Sequence, residues 1–192
     1  MNICVFGASS NAIDPAYLAA GERLGEEMAK RGHGLVFGGG ASGLMGAVAR
    51  GMTRGGGETI VGVAPQFFNV DGVLYEHCTE FIYTDTMRER KQIMDDRSDA
   101  VIMTPGGIGT FEEFFEILTL KQLGRHSRPI AVFNIGGYFD ELLAMMEKAE
   151  EQQFMKNATL TLYDCFTDEK ALLDFIEQHR GRLVSVEETK NI

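Results

Sequence analysis

The sequence predicts a single-domain α/β protein of the Rossmann-like, doubly wound class, with a parallel sheet. Short apolar segments rich in β-branched residues alternate with longer segments of helical periodicity along most of the chain. The short segments are apolar throughout, which is typical of strands covered by helices on both faces. In such a sheet the crossovers are right-handed, and ligands bind beyond the carboxyl ends of the strands.

Six strands and six helices follow from these patterns. The predicted strands are 3–6, 34–37, 59–64, 80–84, 100–104 and 129–134. The predicted helices are 15–30, 43–55, 86–97, 110–123, 138–152 and 168–179. Segment 65–78 has neither periodicity, and the end of the chain is expected to fray. We therefore predict one nucleotide-binding domain over residues 1–180 and a C-terminal tail over residues 181–192.

Composition narrows the possible partners. The chain has 192 residues, enough for one substantial core, and 18 basic against 28 acidic residues give a net charge of −10. A chain this acidic repels nucleic acid and anionic membranes, and its one dense basic segment, 88–91, is short. No apolar segment approaches the roughly 20 residues of a membrane span. We expect a cytoplasmic protein with neither nucleic-acid nor membrane partners.

Cysteine and histidine spacing indicates no metal site. The three cysteines and four histidines are scattered, without a CxxC pair or any other ligand spacing. We expect no metal, no cofactor and no disulfide framework.

The first glycine-rich loop, residues 38–43, matches the dinucleotide pattern GxGxxG between a strand and a helix. An NAD site also requires an acid at the end of the next strand, and the nearest one, Glu58, precedes strand 59–64 instead. NAD binding is therefore disfavoured. Neither this loop nor the second one ends in the Lys-Ser/Thr of a P-loop, which disfavours ATP hydrolysis. The glycines serve either a tight turn or the approach of a mononucleotide.

The second glycine-rich loop, PGGIGT, lies between strand 100–104 and a helix. Gly106, Gly107 and Gly109 let backbone amides turn toward a ligand, and Thr110 stands where an N-cap is expected. An anion at this position would meet free amides and the positive end of the helix.

Two glutamates follow this loop and allow two interpretations. Thr110 and Glu113 have the spacing of a capping box, in which the glutamate is purely structural. Alternatively, the carboxylate takes part in a reaction beside the anion site. Helix 110–123 is apolar except for a narrow strip containing Glu112, Glu113 and Glu116, so it needs cover beyond one sheet face. This pattern predicts a homodimer.

The helix over residues 86–97 places two cations on its inward side. Met87 and Met94 mark that side, and Arg90 and Lys91 lie between them on the same face. An inward arginine needs a carboxylate or a phosphate, unless it only extends along the edge of the core. We predict that both cations face the second glycine loop and its glutamate.

Four segments together resemble the Lonely Guy (LOG) family of cytokinin-activating phosphoribohydrolases, often labelled lysine decarboxylases. Residues 105–113 match P-G-G-x-G-T-x-x-E, and residues 38–46 match G-G-G-x-x-G-L-M-G. Residues 119–124 match T-x-x-Q-L-G, and residues 87–91 match M-H-x-R-K except that Arg88 replaces the histidine.

The resemblance implies hydrolysis of the N-glycosidic bond of an adenosine 5′-monophosphate, in particular an N6-substituted one, to free base and ribose 5-phosphate. It implies that Arg90 and Glu113 are catalytic. The implied substrate-binding residues are Gly39, Gly40, Gly43, Met87, Lys91, Pro105, Gly106, Gly107, Gly109, Thr110, Glu112 and Thr119.

Two alternatives to this enzyme remain. Relatives with the same fold include general nucleotide nucleosidases and molybdenum-cofactor carriers, so a nucleotide- or cofactor-binding carrier without turnover stays open. A pyridoxal-phosphate decarboxylase needs a lysine that forms a Schiff base, and Lys91 is the one candidate near the loop. We consider that third reading disfavoured.

Overall fold

A seven-stranded parallel sheet forms the centre of the chain in the computed structural model, which describes residues 1–190. Its strands are β1 (Asn2–Phe6), β2 (Gly34–Phe37), β3 (Ile60–Pro65), β4 (Glu80–Thr84), β5 (Ala100–Met103), β6 (Ile130–Phe133) and β7 (Asp164–Phe166). The helices are α1 (Pro15–Lys30), α2 (Gly43–Arg54), α3 (Met87–Asp96), α4 (Ile108–Gln122), α5 (Asp140–Glu151), α6 (Asn157–Leu160), α7 (Glu169–Gln178) and α8 (Val186–Thr189). The predicted Rossmann-like class is confirmed.

The strand order places a switch point beside the central strand. The order across the sheet is β4-β3-β2-β1-β5-β6-β7, and each neighbouring pair is parallel. The chain therefore builds one half of the sheet outward from β1 and then returns to build the other half outward from β5. Where the two halves diverge, the loops after β1 and β5 leave a crevice, which is the usual ligand position in this fold class.

Two apolar layers cover the sheet. Along β1, Ile3 and Val5 pack in the layer that contains α1, α2 and α7, whereas Cys4 and Phe6 pack against α3 and α4. This alternation confirms that the central strands are covered on both faces. Strand β4 differs, because it lies at the edge of the sheet and Thr84 is its one buried residue.

The C-terminal part contains elements that the sequence patterns did not predict. Strand β7 has 3 residues and helices α6 and α8 have 4 each, too few for a periodicity to be recognised. The expectation of a frayed tail is wrong for the part described: Thr189 is buried, and its hydroxyl donates to the Gln122 carbonyl at 2.8 Å. Residues 191–192, the end of the predicted tail, lie outside the described residues.

Among residues 1–190, every helix is too short or too polar to cross a bilayer. The three cysteines, Cys4, Cys78 and Cys165, are free thiols.

Candidate active site

A cavity of about 550 Å³ lies at the carboxyl ends of β1, β2 and β5, at the switch point of the sheet. Its loop walls consist of residues 7–9, Gly38, Gly40, Ser42 and residues 107–110, and segment 68–74 contributes a further wall. Two charged side chains, Arg90 and Glu113, also line it. Its size is within the range of small-molecule sites, about 300–1,000 Å³.

Arg90 and Glu113 form a buried ion pair in this cavity, as predicted. Arg90 Nη1 donates to Glu113 Oε1 at 2.6 Å, and the two side chains are only 8% and 10% exposed. The guanidinium is held on a second side, because its Nε donates to the Val63 carbonyl at 3.1 Å. Helix α3, which carries Arg90, starts with a capping box between Thr86 and Glu89. The arginine is therefore fixed by its own helix, by the end of β3 and by α4.

The surroundings of Glu113 shift the protonation equilibrium of its carboxyl group. Burial raises the pKa of the Glu113 carboxyl above its usual range, while the charge and hydrogen bond of Arg90 oppose that shift. The neighbouring carboxylate of Glu112 raises the same pKa further. A carboxylate of this kind is a better proton acceptor than an exposed glutamate, and such shifts are common at catalytic sites.

Of the two interpretations of Glu113, the capping box with Thr110 is wrong. Helix α4 begins at Ile108 with Gly107 at the N-cap, and no side chain caps it. Thr110 is consequently the third helical residue and Glu113 the sixth, too far along to reach the N-cap amide. The glycines let the helix start earlier than the threonine suggested. The Glu113 carboxylate thus has no capping role.

The start of α4 presents unpaired amides to the cavity. Within the described chain, the backbone N–H groups of Ile108, Gly109 and Thr110 have no hydrogen-bond acceptor. At α2, by contrast, the Gly43 amide donates to Asn11 Oδ1 at 2.7 Å and the Met45 amide to the Ala8 carbonyl at 3.2 Å. An anion is therefore best accommodated at the second glycine loop, where free donors and the helix dipole coincide.

Packing explains two glycines of the first loop. Gly39 has φ 74°, and a Cβ there would lie 2.6 Å from the ring of Phe81. Gly43 has φ 63°, and its Cβ would lie 2.4 Å from the Ala8 carbonyl oxygen. Both positions need glycine for the turn and for close contact, which is the structural alternative left open by the pattern. Neither lines the cavity.

The cavity brings together seven of the fourteen predicted site residues. Besides the ion pair, it is lined by Gly40, Met87, Gly107, Gly109 and Thr110. Met87 is 42% exposed, so the prediction that it marks the core side of α3 is wrong, whereas Met94 is buried as expected.

The other predicted contacts lie outside the cavity wall. Pro105 and Gly106 are buried beneath the loop, where the Gly106 carbonyl accepts a hydrogen bond from Tyr138 Oη at 2.7 Å. They shape the loop. Glu112 and Thr119 are exposed on α4. The cavity of this chain therefore does not include them.

Lys91 faces the outer side of α4 and not the cavity. Its ammonium contacts the carboxylates of Glu112 and Glu116. Burial lowers the pKa of Lys91, but the two hydrogen-bonded carboxylates outweigh it and raise the pKa above the usual value. A Schiff base requires a neutral amine, so this environment disfavours pyridoxal-phosphate chemistry at Lys91.

Sequence patterns missed the apolar wall of the cavity. This wall consists of the side chains of Met45, Phe68, Val73, Leu74 and Ile108. Three of them come from the aperiodic segment 65–78, which is attached to the first glycine loop by a bridge between Gly40 and Leu74. The length of that segment was the signal available, since a long loop without its own structure often serves a site.

The described residues offer no metal site: no group of three or more histidine, cysteine, aspartate or glutamate side chains is placed to hold an ion. The donors in the cavity are amides, hydroxyl groups and a guanidinium, which suit an anion.

Comparisons with known proteins agree on one family. Residues 45–176 match the family model described as possible lysine decarboxylase. The chain is 34% identical over 177 residues to cytokinin riboside 5′-monophosphate phosphoribohydrolase LOG2 of Arabidopsis thaliana, covering 92% of this chain and 83% of that protein. It is 38% identical over 177 residues to the probable enzyme LOGL9 of Oryza sativa subsp. japonica, covering 92% and 78%.

A solved structure supports the fold. The molybdenum cofactor carrier protein of Chlamydomonas reinhardtii is similar with a TM-score of 0.71 at 21% identity, over 92% of this chain and 96% of that chain. At an identity this low, the similarity supports the fold and gives no information about function.

Proposed function

The chain belongs to the LOG family, whose model is described as possible lysine decarboxylase, and we propose on this premise that it is a phosphoribohydrolase. Its reaction is hydrolysis of the N-glycosidic bond of an adenosine 5′-monophosphate, preferentially N6-substituted, to free base and ribose 5-phosphate. The observation that carries the proposal is the buried Arg90–Glu113 pair in a cavity that also presents the free amides of α4.

The amides anchor the substrate in this mechanism. The 5′-phosphate accepts hydrogen bonds from the N–H groups of Ile108, Gly109 and Thr110 and is stabilised by the positive end of α4. Glu113 lies one helical turn further along, so the ribose of an anchored nucleotide is directed toward its carboxylate. A fixed phosphate places the glycosidic carbon beside the reacting group and lowers the entropic part of the barrier.

Glu113 carries the chemistry at the sugar. As the glycosidic bond breaks, its electron pair leaves with the base and positive charge develops on the ribose ring. The ionised carboxylate stabilises that charge and accepts a proton from the water that attacks the glycosidic carbon, while the departing base takes up a proton from solvent. Arg90 keeps the carboxylate oriented through Nη1. Its Nη2, which has no acceptor among residues 1–190, is available to the ribose or phosphate.

The apolar wall supports a preference for N6-substituted bases. Phe68, Val73 and Leu74 approach from one side of the cavity and Ile108, 83% exposed, from the start of α4. Adenine and an alkyl group on its N6 would bury this apolar surface, which contributes about 25 cal/mol of binding free energy per Å² of apolar area removed from water.

Incubating the protein with AMP and with isopentenyl-AMP tests the function. We expect release of free base from both, with a higher kcat/KM for isopentenyl-AMP because its alkyl group contacts the apolar wall. The corresponding nucleoside, which lacks the phosphate anchor, is the matched control and should react far more slowly. Binding of nucleotide without base release would contradict the enzyme and favour the nucleotide- or molybdenum-cofactor carrier.

We also propose that the protein is a cytoplasmic homodimer that binds small nucleotides and not nucleic acid. Phe111, Phe115 and Leu120 of α4 are only half-buried, and α5 has no fully buried residue. Exposed apolar side chains beyond α4 include Met145, 61% exposed, and Phe154, 81% exposed. Large exposed apolar patches are unusual on monomers and often mark protein–protein interfaces.

Light scattering tests the oligomeric state. At micromolar concentration we expect a mass of at least twice the 21.2 kDa of one chain. A mass equal to that of a single chain would contradict the dimer.

A further inference from the structure

We propose that Gly38 is a positioning residue for Arg90: the missing side chain at residue 38 provides the space that the guanidinium needs to reach Glu113. The inference rests on the proposed function, in which the Arg90–Glu113 pair is catalytic. In this proposal the first glycine-rich loop positions the Arg90 guanidinium and does not bind the phosphate.

The space in question is already filled by Arg90. A Cβ built on Gly38 would lie 2.1 Å from Arg90 Nη2 and 3.2 Å from Cζ. Contacts between such atoms normally measure about 3.5–4.0 Å. An alanine at this position therefore requires the guanidinium to move by more than about 1 Å, since relaxed contact distances must be restored.

The guanidinium cannot make that movement and keep its partners. Nε is bonded to the Val63 carbonyl at 3.1 Å and Nη1 to Glu113 at 2.6 Å, on two sides of the same planar group. A shift away from residue 38 breaks or bends at least one of these bonds. Because hydrogen bonds weaken steeply with misalignment, the carboxylate would lose its fixed orientation.

The backbone itself tolerates a side chain at residue 38. Gly38 lacks the positive φ that makes Gly39, at 74°, unsuitable for alanine. Apart from Arg90, its nearest neighbour is the flexible Met45, whose sulfur would lie 3.2 Å from the new Cβ. The substitution should therefore displace the Arg90 side chain and leave the fold intact.

Gly38→Ala tests the inference by activity and by pH profile. We expect a folded protein whose base release falls about a hundredfold, the typical effect of misplacing a catalytic group by about 1 Å. With the cation displaced, the pKa of Glu113 rises further, so the acid limb of the pH–rate profile should move to higher pH. A substitution that damaged only packing would not move that limb.

The double variant decides whether Gly38 acts through Arg90. Arg90→Ala leaves room for a methyl group at residue 38, so adding Gly38→Ala to it should cost no further activity. An additional loss in the double variant would overturn the inference and indicate that Gly38 contacts the substrate. Wild-type activity in the Gly38→Ala single variant would overturn it too.

A matched control separates crowding from displacement of the arginine. A Cβ on Gly57 would lie 2.7 Å from the flexible end of Met52, remote from the cavity. Gly57→Ala should keep wild-type base release and an unshifted acid limb. The same loss there would contradict the specific role of Gly38. Failure of the proposed function is distinguishable, because the wild-type protein would then release no base at all.

Discussion

Glu113→Gln is expected to give a folded protein that releases base about a hundredfold to ten-thousandfold more slowly than the wild type. Glutamine has the shape of glutamate, and its carbonyl oxygen can still accept the hydrogen bond from Arg90 Nη1. It cannot ionise, so it neither stabilises positive charge on the ribose ring nor accepts a proton from water. The measurement is kcat and KM for AMP, with KM expected to change little because the phosphate anchor is intact.

Glu116→Gln is the matched control on the same helix. Glu116 is 43% exposed and contacts Lys91 outside the nucleotide cavity, so this variant should keep its turnover. Circular dichroism and the unfolding temperature should show both variants folded. If Glu113→Gln retained most of the base-releasing activity, the carboxylate would be structural and the proposed mechanism would be wrong.

The sheet could be predicted because each central strand is buried on both faces. That burial makes segments such as 34–37 and 100–104 continuously apolar, and the structure places strands there with boundaries that differ by at most one residue. Strand β7 could not be predicted, since its 3 residues are exposed or only half-buried and carry no apolar pattern.

The start of α4 shows where local patterns fail. Thr110 is a good N-cap residue, but Gly107 can adopt the extended conformation of a cap, with φ −98° and ψ −153°, without a side chain. The helix therefore begins at Ile108. Because the helix starts at Ile108, Glu113 is its sixth residue and is too far from the N-cap amide to cap it. This early start leaves the Glu113 carboxylate free of a capping role.

The ion pair itself was predictable and its electrostatics were not. A helical spacing placed Arg90 on the inward side of α3, and an inward cation needs an anion. An adjacent cation by itself lowers the pKa of a carboxyl group. The structure adds the burial of both side chains, and burial outweighs the cation so that the pKa is raised. The burial of Arg90 and Glu113 results from the packing of α3, α4 and the end of β3 against one another. Such burial cannot be read from the pattern of a single segment.

Arg90→Ala is expected to reduce base release by at least about a hundredfold, because Glu113 loses the group that orients it. Removing one partner of a buried ion pair also costs stability, about 3–5 kcal/mol when the remaining charge stays buried. Glu113 can avoid part of that cost by taking up a proton. The acid limb of the pH–rate profile should therefore lie at higher pH than in the wild type, in which Arg90 opposes protonation.

The stability of this variant should depend on pH with a defined sign. The pKa of Glu113 in the folded protein is raised above its value in the unfolded chain, and removal of Arg90 raises it further. Such a group contributes stability at low pH that is lost as the pH rises through the folded pKa. Urea unfolding should show the penalty of Arg90→Ala growing from acidic to neutral pH. A penalty independent of pH, with an unshifted acid limb, would mean that Arg90 does not act on the Glu113 carboxylate.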